Sequence, residues 1–374
     1  MEEKIRKLFP ALEKYVYLNS AAVSPLPITT VEAVLSQLKD VSENGVLNYP
    51  KWIETKERAR KLLAEMLSAR PDQIAFTRNT SDGFSIVANG LDWSKDDNIV
   101  VFAGEFPSNF YPWRMIHERF GVELRISHNK NARVDIEEFI SLIDKKTKIA
   151  SISVVQFDTG FRANLEKISN VIKKTKALFA VDIIQGFGAI ELNLTEISID
   201  IASGASHKWL CAPEGCGILY LSDRARQMIK PSLVGWISVE EPWDFNDRSQ
   251  SWKQNTLVLE SGTGCTSLFY GLEQSLKIIK EIGVKRIEKY LENLTDFLCE
   301  KAKEKGYKVY SSRRKGEKSQ IVAICPKNGS SAQEITKSLE KKNIIISARN
   351  NLLRISPHFF NNEDDIEILV DHLP

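Results

Sequence analysis

Lys208 stands in the run Ser206-His207-Lys208-Trp209, a short distance after Val181-Asp182-Ile183-Ile184-Gln185-Gly186. A lysine and an aspartate in that order offer one particular chemistry: an amine that condenses with an aldehyde, and a carboxylate that holds a proton on the ring carrying it. The amine attacks only when it is unprotonated, which burial and neighbouring positive charge favour. Around Lys208 the chain is mainly small and apolar, from Ile199-Asp200-Ile201-Ala202-Ser203-Gly204-Ala205 on one side to Trp209-Leu210 on the other. A recessed amine is therefore expected.

The cofactor that uses such a pair is pyridoxal phosphate, whose protonated ring withdraws electrons from an amino acid's alpha carbon and needs a carboxylate against the ring nitrogen. Asp182 is the candidate. It follows the apolar run Ala177-Leu178-Phe179-Ala180-Val181, which reads as a buried strand, and precedes a turn containing glycine, where parallel sheets present ligand groups. Gln185, one short loop further on, is placed to reach the ring oxygen. Taken singly, each residue has a plainer use: most lysines are solvated surface charges, and an aspartate after a strand commonly caps a helix or forms a turn. The combination carries the expectation.

Val181-Asp182 with Gln185, then Ser206-His207-Lys208-Trp209 and Pro213-Glu214-Gly215, resemble the class V aminotransferase group of fold-type I pyridoxal phosphate enzymes. That group includes cysteine desulfurases, isopenicillin N epimerase-like proteins, kynureninases and serine-type aminotransferases. The resemblance runs from Tyr17-Leu18-Asn19-Ser20-Ala21-Ala22 to Leu353-Arg354-Ile355-Ser356-Pro357-His358-Phe359. It implies that Lys208 forms the Schiff base and serves as general acid and base, that Asp182 pairs with the pyridinium, and that His207 lies beside the cofactor. Thr80 and Ser81, in Asn79-Thr80-Ser81-Asp82-Gly83, match the phosphate cup. Small hydroxyl residues opening a helix offer donors to an anion, although a plain helix cap has the same local sequence.

The resemblance assigns Phe106 the place of the residue that stacks on the ring, often a histidine in desulfurases; phenylalanine stacks but exchanges no protons. Phe157 fills a slot where many desulfurases carry an asparagine near the ring oxygen, leaving that contact to Gln185. Ala205 stands where some relatives have a phosphate-binding serine, with Ser206 adjacent as the candidate donor. Arg354 is expected to clamp the substrate's alpha-carboxylate through the paired planar donors of its guanidinium, with Asn19 also at the substrate. On local pattern alone, Arg354 is equally an outward-facing strand residue. Thr263, in Ser261-Gly262-Thr263, resembles the segment that a second subunit contributes to the phosphate site, which implies a homodimer with active sites at the interface. Arg349 and Trp236 are candidates for the side-chain pocket.

The elements that must position these residues follow from periodicity. Apolar runs at Gln73-Ile74-Ala75-Phe76-Thr77, 98–102, 149–155 and 216–221 alternate with helical stretches, the pattern of an open, mostly parallel sheet covered by helices. The fold class expected is α/β: a large domain of the fold-type I kind with a seven-stranded type of sheet, over residues 20–255. A long amphipathic region from 266 to 305 leads into short strands at 307–310, 321–324 and 344–346. This predicts a smaller α+β domain made of 1–19 and 256–374.

Composition narrows the function classes. The chain of 374 residues carries a formal charge of +2, which makes no electrostatic case for nucleic acid. No stretch reaches the roughly 18–20 apolar residues of a membrane span, and the opening Met1-Glu2-Glu3-Lys4-Ile5-Arg6-Lys7 is too charged for a secretory signal. A cytoplasmic protein is expected. The five cysteines, Cys211, Cys216, Cys265, Cys299 and Cys325, form neither a disulfide framework nor a metal-ligand spacing, so no metal is expected. In the desulfurases the resemblance brings in, a nucleophilic thiol sits on a loop shortly before the carboxylate-binding arginine. Here that stretch, residues 344–351, has no cysteine, which disfavours desulfuration. An aminotransferase or lyase acting at the alpha carbon of an amino acid is the first expectation. An epimerase or racemase is the second, on the segments Glu105-Phe106-Pro107-Ser108-Asn109 and Phe161-Arg162-Ala163-Asn164-Leu165. A non-catalytic protein that keeps the cofactor site is the third.

Overall fold

The apolar runs of the first two thirds of the chain become seven strands of one sheet, seen in a computed structural model that describes residues 3–327 and 329–374. The strands are β1 (Ile74–Thr77), β2 (Asn98–Phe102), β3 (Glu123–Ser127), β4 (Thr147–Ser153), β5 (Leu178–Asp182), β6 (Ile201–Ala205) and β7 (Gly217–Leu221). Their order across the sheet is β1-β7-β6-β5-β4-β2-β3, with β7 antiparallel to both neighbours and every other pair parallel. In β5, Phe179 and Val181 join one buried cluster while Leu178 and Ala180 join another. A strand covered on both faces must be apolar at every position, which is why these runs do not alternate.

Asp182 is the last residue of β5. Its backbone lies opposite Ser153 of β4 and Ser203 of β6, so the carboxylate is held by the ladder itself. Lys208 comes three residues after the end of β6. Both groups thus leave adjacent parallel strands at their carboxyl ends, where an α/β sheet opens a crevice. On the same side, helix α3 (Thr80–Gly90) follows β1, its first turn capped by the Asn79 side chain, which accepts from the Asp82 N–H at 2.9 Å. Gly217 of β7 allows that approach: a Cβ there would lie 2.5 Å from the Asn79 nitrogen.

The long amphipathic region is two helices, α4 (Thr266–Ile282) and α5 (Val284–Glu304), separated by Gly283 at φ 85°. A left-handed residue ends α-helical geometry, and glycine adopts it without steric cost. Helix α4 packs against α1 (Ile28–Asn44) and α2 (Tyr49–Leu67), with Thr30 and Ser275 hydroxyls bonded at 2.7 Å. Helix α5 leads to an antiparallel sheet of β8 (Lys308–Val309), β9 (Val322–Cys325), β10 (Ser347–Arg349) and β11 (Leu352–Ile355), in the order β8-β9-β11-β10. Leu294, Leu298, Val322, Ile324, Leu353 and Ile355 bury its core face, joined by Leu18. Val16–Tyr17 pairs parallel with Ile344–Ile345, which brings the N-terminal segment beside this sheet. Among the described residues, no helix is long and apolar enough to cross a membrane.

One buried ion cluster ties these parts together. Glu260 accepts from Lys56 Nζ, from Arg60 Nη1 at 2.6 Å and from the Phe76 N–H at 2.8 Å. Burial pushes its carboxyl up, but the charges of Arg60 and Lys56 outweigh that and hold it at about 2. The cluster joins α2, β1 and the segment that continues into Ser261-Gly262-Thr263. Replacing Glu260 by Ala leaves two cations without their carboxylate, and is expected to lower unfolding free energy by about 3–5 kcal/mol in denaturant titration. A loss below about 1 kcal/mol would show that the cluster does not hold the fold.

Candidate active site

A cavity of about 290 Å³ opens above the carboxyl ends of β5 and β6. Its wall includes Thr80, Ser81, Phe106, Gln185, His207, Lys208 and Arg354, which the fold collects from five separate stretches of chain. Lys208 is 8% exposed, with Nζ 5.5 Å from the centre of the Phe106 ring. Burial lowers its pKa well below the usual lysine value; Asp182 opposes this, and Arg354 and Arg349 add to it. The amine that needed a reason to be unprotonated has one.

Asp182 is fully buried. Burial raises its pKa and the nearby Glu105 charge raises it further, against the Ile184 N–H, which donates to Oδ1 at 2.9 Å, and against Lys208. Its other oxygen, Oδ2, has no hydrogen-bond partner. A buried carboxylate oxygen left open costs free energy unless a donor arrives, and a protonated ring nitrogen is such a donor. Thr80 Oγ1 at the start of α3 is likewise buried without a partner. A phosphate would accept from that hydroxyl and from the free N–H groups of the helix's first turn. The residues present therefore fit pyridoxal phosphate at both ends.

Gln185 is held between Trp209 Nε1, which donates to Oε1 at 2.9 Å, and the Ala21 carbonyl, which accepts from Nε2 at 3.1 Å. One amide hydrogen is left for the cavity. Ser81 Oγ donates to Ser108 Oγ at 2.8 Å on the rim. Phe106 stands edge-to-face with Phe157 at 5.2 Å, and the two make an apolar wall. Burial and Lys208 lower the His207 pKa against Glu214, so its imidazole is neutral at pH 7. Arg354 is 1% exposed; Nε donates to Ser347 Oγ at 3.0 Å, Nη1 to the Phe157 carbonyl at 2.8 Å and Nη2 to Asn19 Oδ1 at 3.4 Å. Asn19 thus holds the arginine and is not part of the cavity wall.

Three other expected residues are placed elsewhere. The Ser206 hydroxyl donates to the Pro213 carbonyl at 2.5 Å, which turns it into its own loop. Thr263 lines a separate cavity of about 470 Å³ with Ser261 and Gly262. Trp236 packs on Trp243, ring centres 5.1 Å apart, beside that same segment.

Sequence reasoning passed over two buried groups that hold the site. Glu105 accepts from Asn109 Nδ2 at 2.8 Å, the Ser153 N–H at 2.8 Å, Gln156 Nε2 at 2.9 Å and the Ser153 hydroxyl. It fastens the loop bearing Phe106 to the end of β4, beside Asp182. An acid shortly after the apolar run at 99–102 was the available signal. His358 accepts the Phe359 N–H at Nδ1, 2.8 Å, and bonds the Trp209 carbonyl through Nε2 at 3.0 Å. Those partners require the neutral Nε2–H tautomer. With Gln185, it grips Trp209 from both sides and fixes the neighbouring Lys208.

The profile of the family described as Aminotransferase class-V matches residues 16–369. The chain belongs to that family. It is 26% identical to a probable cysteine desulfurase of Methanothermobacter thermautotrophicus, covering 99% of this chain and 97% of the relative. An uncharacterized aminotransferase of Bacillus subtilis is 24% identical, over 100% and 97%. Among solved structures, an apo cysteine desulfurase from Thermococcus onnurineus superposes with TM-score 0.89 at 23% identity, over 99% and 96%. The cystine C–S lyase C-DES, in complex with cysteine persulfide, superposes with TM-score 0.90 at 22% identity, over 98% of both chains. The fold is therefore the fold-type I α/β architecture expected, and this class-V family member is a pyridoxal phosphate-dependent enzyme.

His358 sets a pH limit on stability. Burial pushes its imidazole down to about 3, although the Trp209 carbonyl pulls the other way. An unfolded histidine titrates near 6.5, so between these values the unfolded chain binds the extra proton. The stabilisation is complete above about pH 6.5 and is lost as pH falls, by roughly 2 kcal/mol at pH 5. Replacing His358 by Gln, which keeps a donor and an acceptor, is expected to flatten this part of the acid limb in denaturant titrations at pH 7.5 and 5. An unchanged slope would exclude His358 as its source.

Proposed function

We propose that this enzyme removes the alpha proton of an amino acid and completes a transamination or an elimination. The observation that carries this is the facing pair on one cavity: a buried Lys208 amine with a lowered pKa, and the buried guanidinium of Arg354 with no carboxylate partner among the described residues. Bound pyridoxal phosphate supplies an aldehyde for the substrate's amino group and a ring that accepts the electrons released at the alpha carbon. Lys208 takes and returns the alpha proton from its side of the cavity, and neutral His207 is beside it. Asp182 keeps the ring nitrogen protonated through its open oxygen. Arg354 orients the alpha-carboxylate with donors that Ser347, Phe157 and Asn19 hold in place, so little freedom is lost when the anion arrives. Phe106 and Phe157 keep water from the reacting face.

The aromatic wall opposite the lysine offers no group that exchanges protons, which favours chemistry with one base over epimerisation, where both faces must be served. No cysteine lines this cavity among the described residues, and the turn between β10 and β11 carries none. Sulfur transfer through a protein persulfide is therefore disfavoured, although several relatives are named probable cysteine desulfurases. A lyase of the kind named for C-DES fits without such a thiol.

We place Thr263 at the phosphate site of a second copy, with the enzyme a homodimer. The exposed apolar residues Leu35, Leu38 and Val41 along α1, with Trp243 and Phe245 beside the Thr263 segment, support this. Five free thiols suit a reducing, cytoplasmic setting.

The visible spectrum of the protein with pyridoxal phosphate, titrated with L- and D-amino acids and followed by product analysis, tests the proposal. Keto acid or ammonia is the expected product; inverted amino acid would select epimerisation instead. Lys208→Ala is expected to fold and to lose the covalent cofactor band, and a variant that retained the same linkage would exclude Lys208. In wild type the rate of covalent attachment should rise with pH through a midpoint well below 10.5, the ordinary lysine value. Arg354→Ala should weaken amino-acid binding by roughly 2–4 kcal/mol with cofactor affinity little changed. Equal loss of both would refute the clamp.

A further inference from the structure

The hairpin that carries Arg354 carries a second arginine on the same face. Strands β10 and β11 pair with Ser347 opposite Arg354, Ala348 opposite Leu353 and Arg349 opposite Leu352. Side chains alternate along a strand, so Ser347, Arg349, Leu352 and Arg354 share one face. The other face carries Leu353, fully buried in the core of the small sheet, and Ala348, packed against it. Arg349 and Arg354 are diagonal neighbours across the pair, a relation that sets side chains about 7–8 Å apart. Both line the Lys208 cavity.

Two like charges on diagonal positions repel; the Asp158 charge opposes this at Arg354, whereas no carboxylate pairs with Arg349 among the described residues. Arg349 donates from Nη1 only to its neighbour's carbonyl, Ala348, at 2.8 Å. Among the described residues it has no ion pair, and no residue lining the cavity is acidic. Asp158, whose charge acts on Arg354, is buried and accepts from the Thr159 N–H at 2.7 Å and from Asn350 Nδ2 at 3.0 Å. That second bond pins the turn, in which Asn350 and Asn351 have φ 48° and 57°. A half-buried guanidinium held by a rigid turn, facing a cavity and lacking a counterion, is arranged for an anion that arrives with the ligand. Thr80 and the first turn of α3 are the proposed donors to the cofactor phosphate, and Arg354 is the proposed partner of one alpha-carboxylate.

We propose that Arg349 forms a second anion subsite and that the substrate is an amino acid with an anionic side chain, a carboxylate or a sulfinate. This rests on the amino-acid chemistry proposed above. A dicarboxylic amino acid offers one carboxylate to each arginine lining the cavity, whereas its amide leaves Arg349 without a counterion. The charge at this position thereby selects among substrates that share the same alpha-carbon chemistry.

Spectral titration of the cofactor-loaded enzyme reads the dissociation constants of L-aspartate, L-glutamate and L-cysteine sulfinate against L-asparagine and L-glutamine. The acids are expected to bind at least roughly tenfold tighter than the amides. Arg349→Gln should remove that preference by weakening the acids about tenfold or more, with the amides nearly unaffected and the cofactor band and melting temperature retained. Arg349→Lys should keep part of the preference. A wild type that does not favour the acids, or an Arg349→Gln variant that weakens both classes equally, would overturn the subsite; the second result would put both arginines on the alpha-carboxylate. Absence of any cofactor band would overturn the underlying chemistry as well, which separates the two failures.

Discussion

A lysine amine buried at the end of a parallel sheet is the constraint around which this molecule is arranged. Taking Lys208 out of water lowers its affinity for a proton, and the reactive form of the amine is thereby made available near neutral pH. The same burial would be unfavourable without support. Asp182 leaves the neighbouring strand at the same end, and its negative charge opposes the shift. Asp182 in turn is pushed toward protonation by burial and by Glu105, so the pair sits poised and one open oxygen awaits a donor. The free energy stored in these unsatisfied groups is released only when a ligand with a matching donor and aldehyde fills the cavity.

Holding that arrangement takes buried polar bonds from every side. Trp209 is gripped through its indole by Gln185 and through its carbonyl by His358, and Lys208 is its covalent neighbour. Glu105 collects four donors from three side chains and one backbone group to fix the loop that carries Phe106. Such networks lose heavily if one member is removed, since each remaining group is then buried without a partner. They also explain why the catalytic amine and the carboxylate clamp need not lie near each other in sequence. Arg354 comes from the small sheet, Lys208 from the large one, and the N-terminal Asn19 bonds the arginine from a third direction.

Much of this was legible in the chain. The apolar runs at 99–102 and 178–181 are strands covered on both faces, whereas the amphipathic region read as continuous from 266 to 305 is two helices broken at Gly283. Lys208, Asp182, Thr80, Phe106 and Gln185 do converge on one cavity or lie beneath it. Less legible was what each polar side chain does once folded. Ser206 and Ser81 are the same residue type beside motif residues, yet one bonds inward to Pro213 and the other faces the cavity rim. Asn19 is expected at the substrate from the resemblance, and the structure shows it accepting from Arg354 Nη2. Glu105 and His358 read as ordinary polar residues within quoted segments because Ser153 and Gln156 lie 48 and 51 residues from Glu105 and Trp209 lies 149 from His358, where no local pattern records them.

The chain by itself determined the family, the alternation of strands and helices, and the reactive types available: an aspartate closing an apolar run, a lysine shortly after a run of small and apolar residues, and an arginine between apolar neighbours. Those follow from periodicity and from the chemistry of the side chains, which are local properties. Tertiary structure decided which charges face one another and which are answered. The register of β10 with β11 put Arg349 on the same side as Arg354, and a shift of one residue would have turned it to the other face. Electrostatic energy and hydrogen bonding depend on distance and burial in three dimensions, so the electrostatics of this site exists only once the two sheets are packed together.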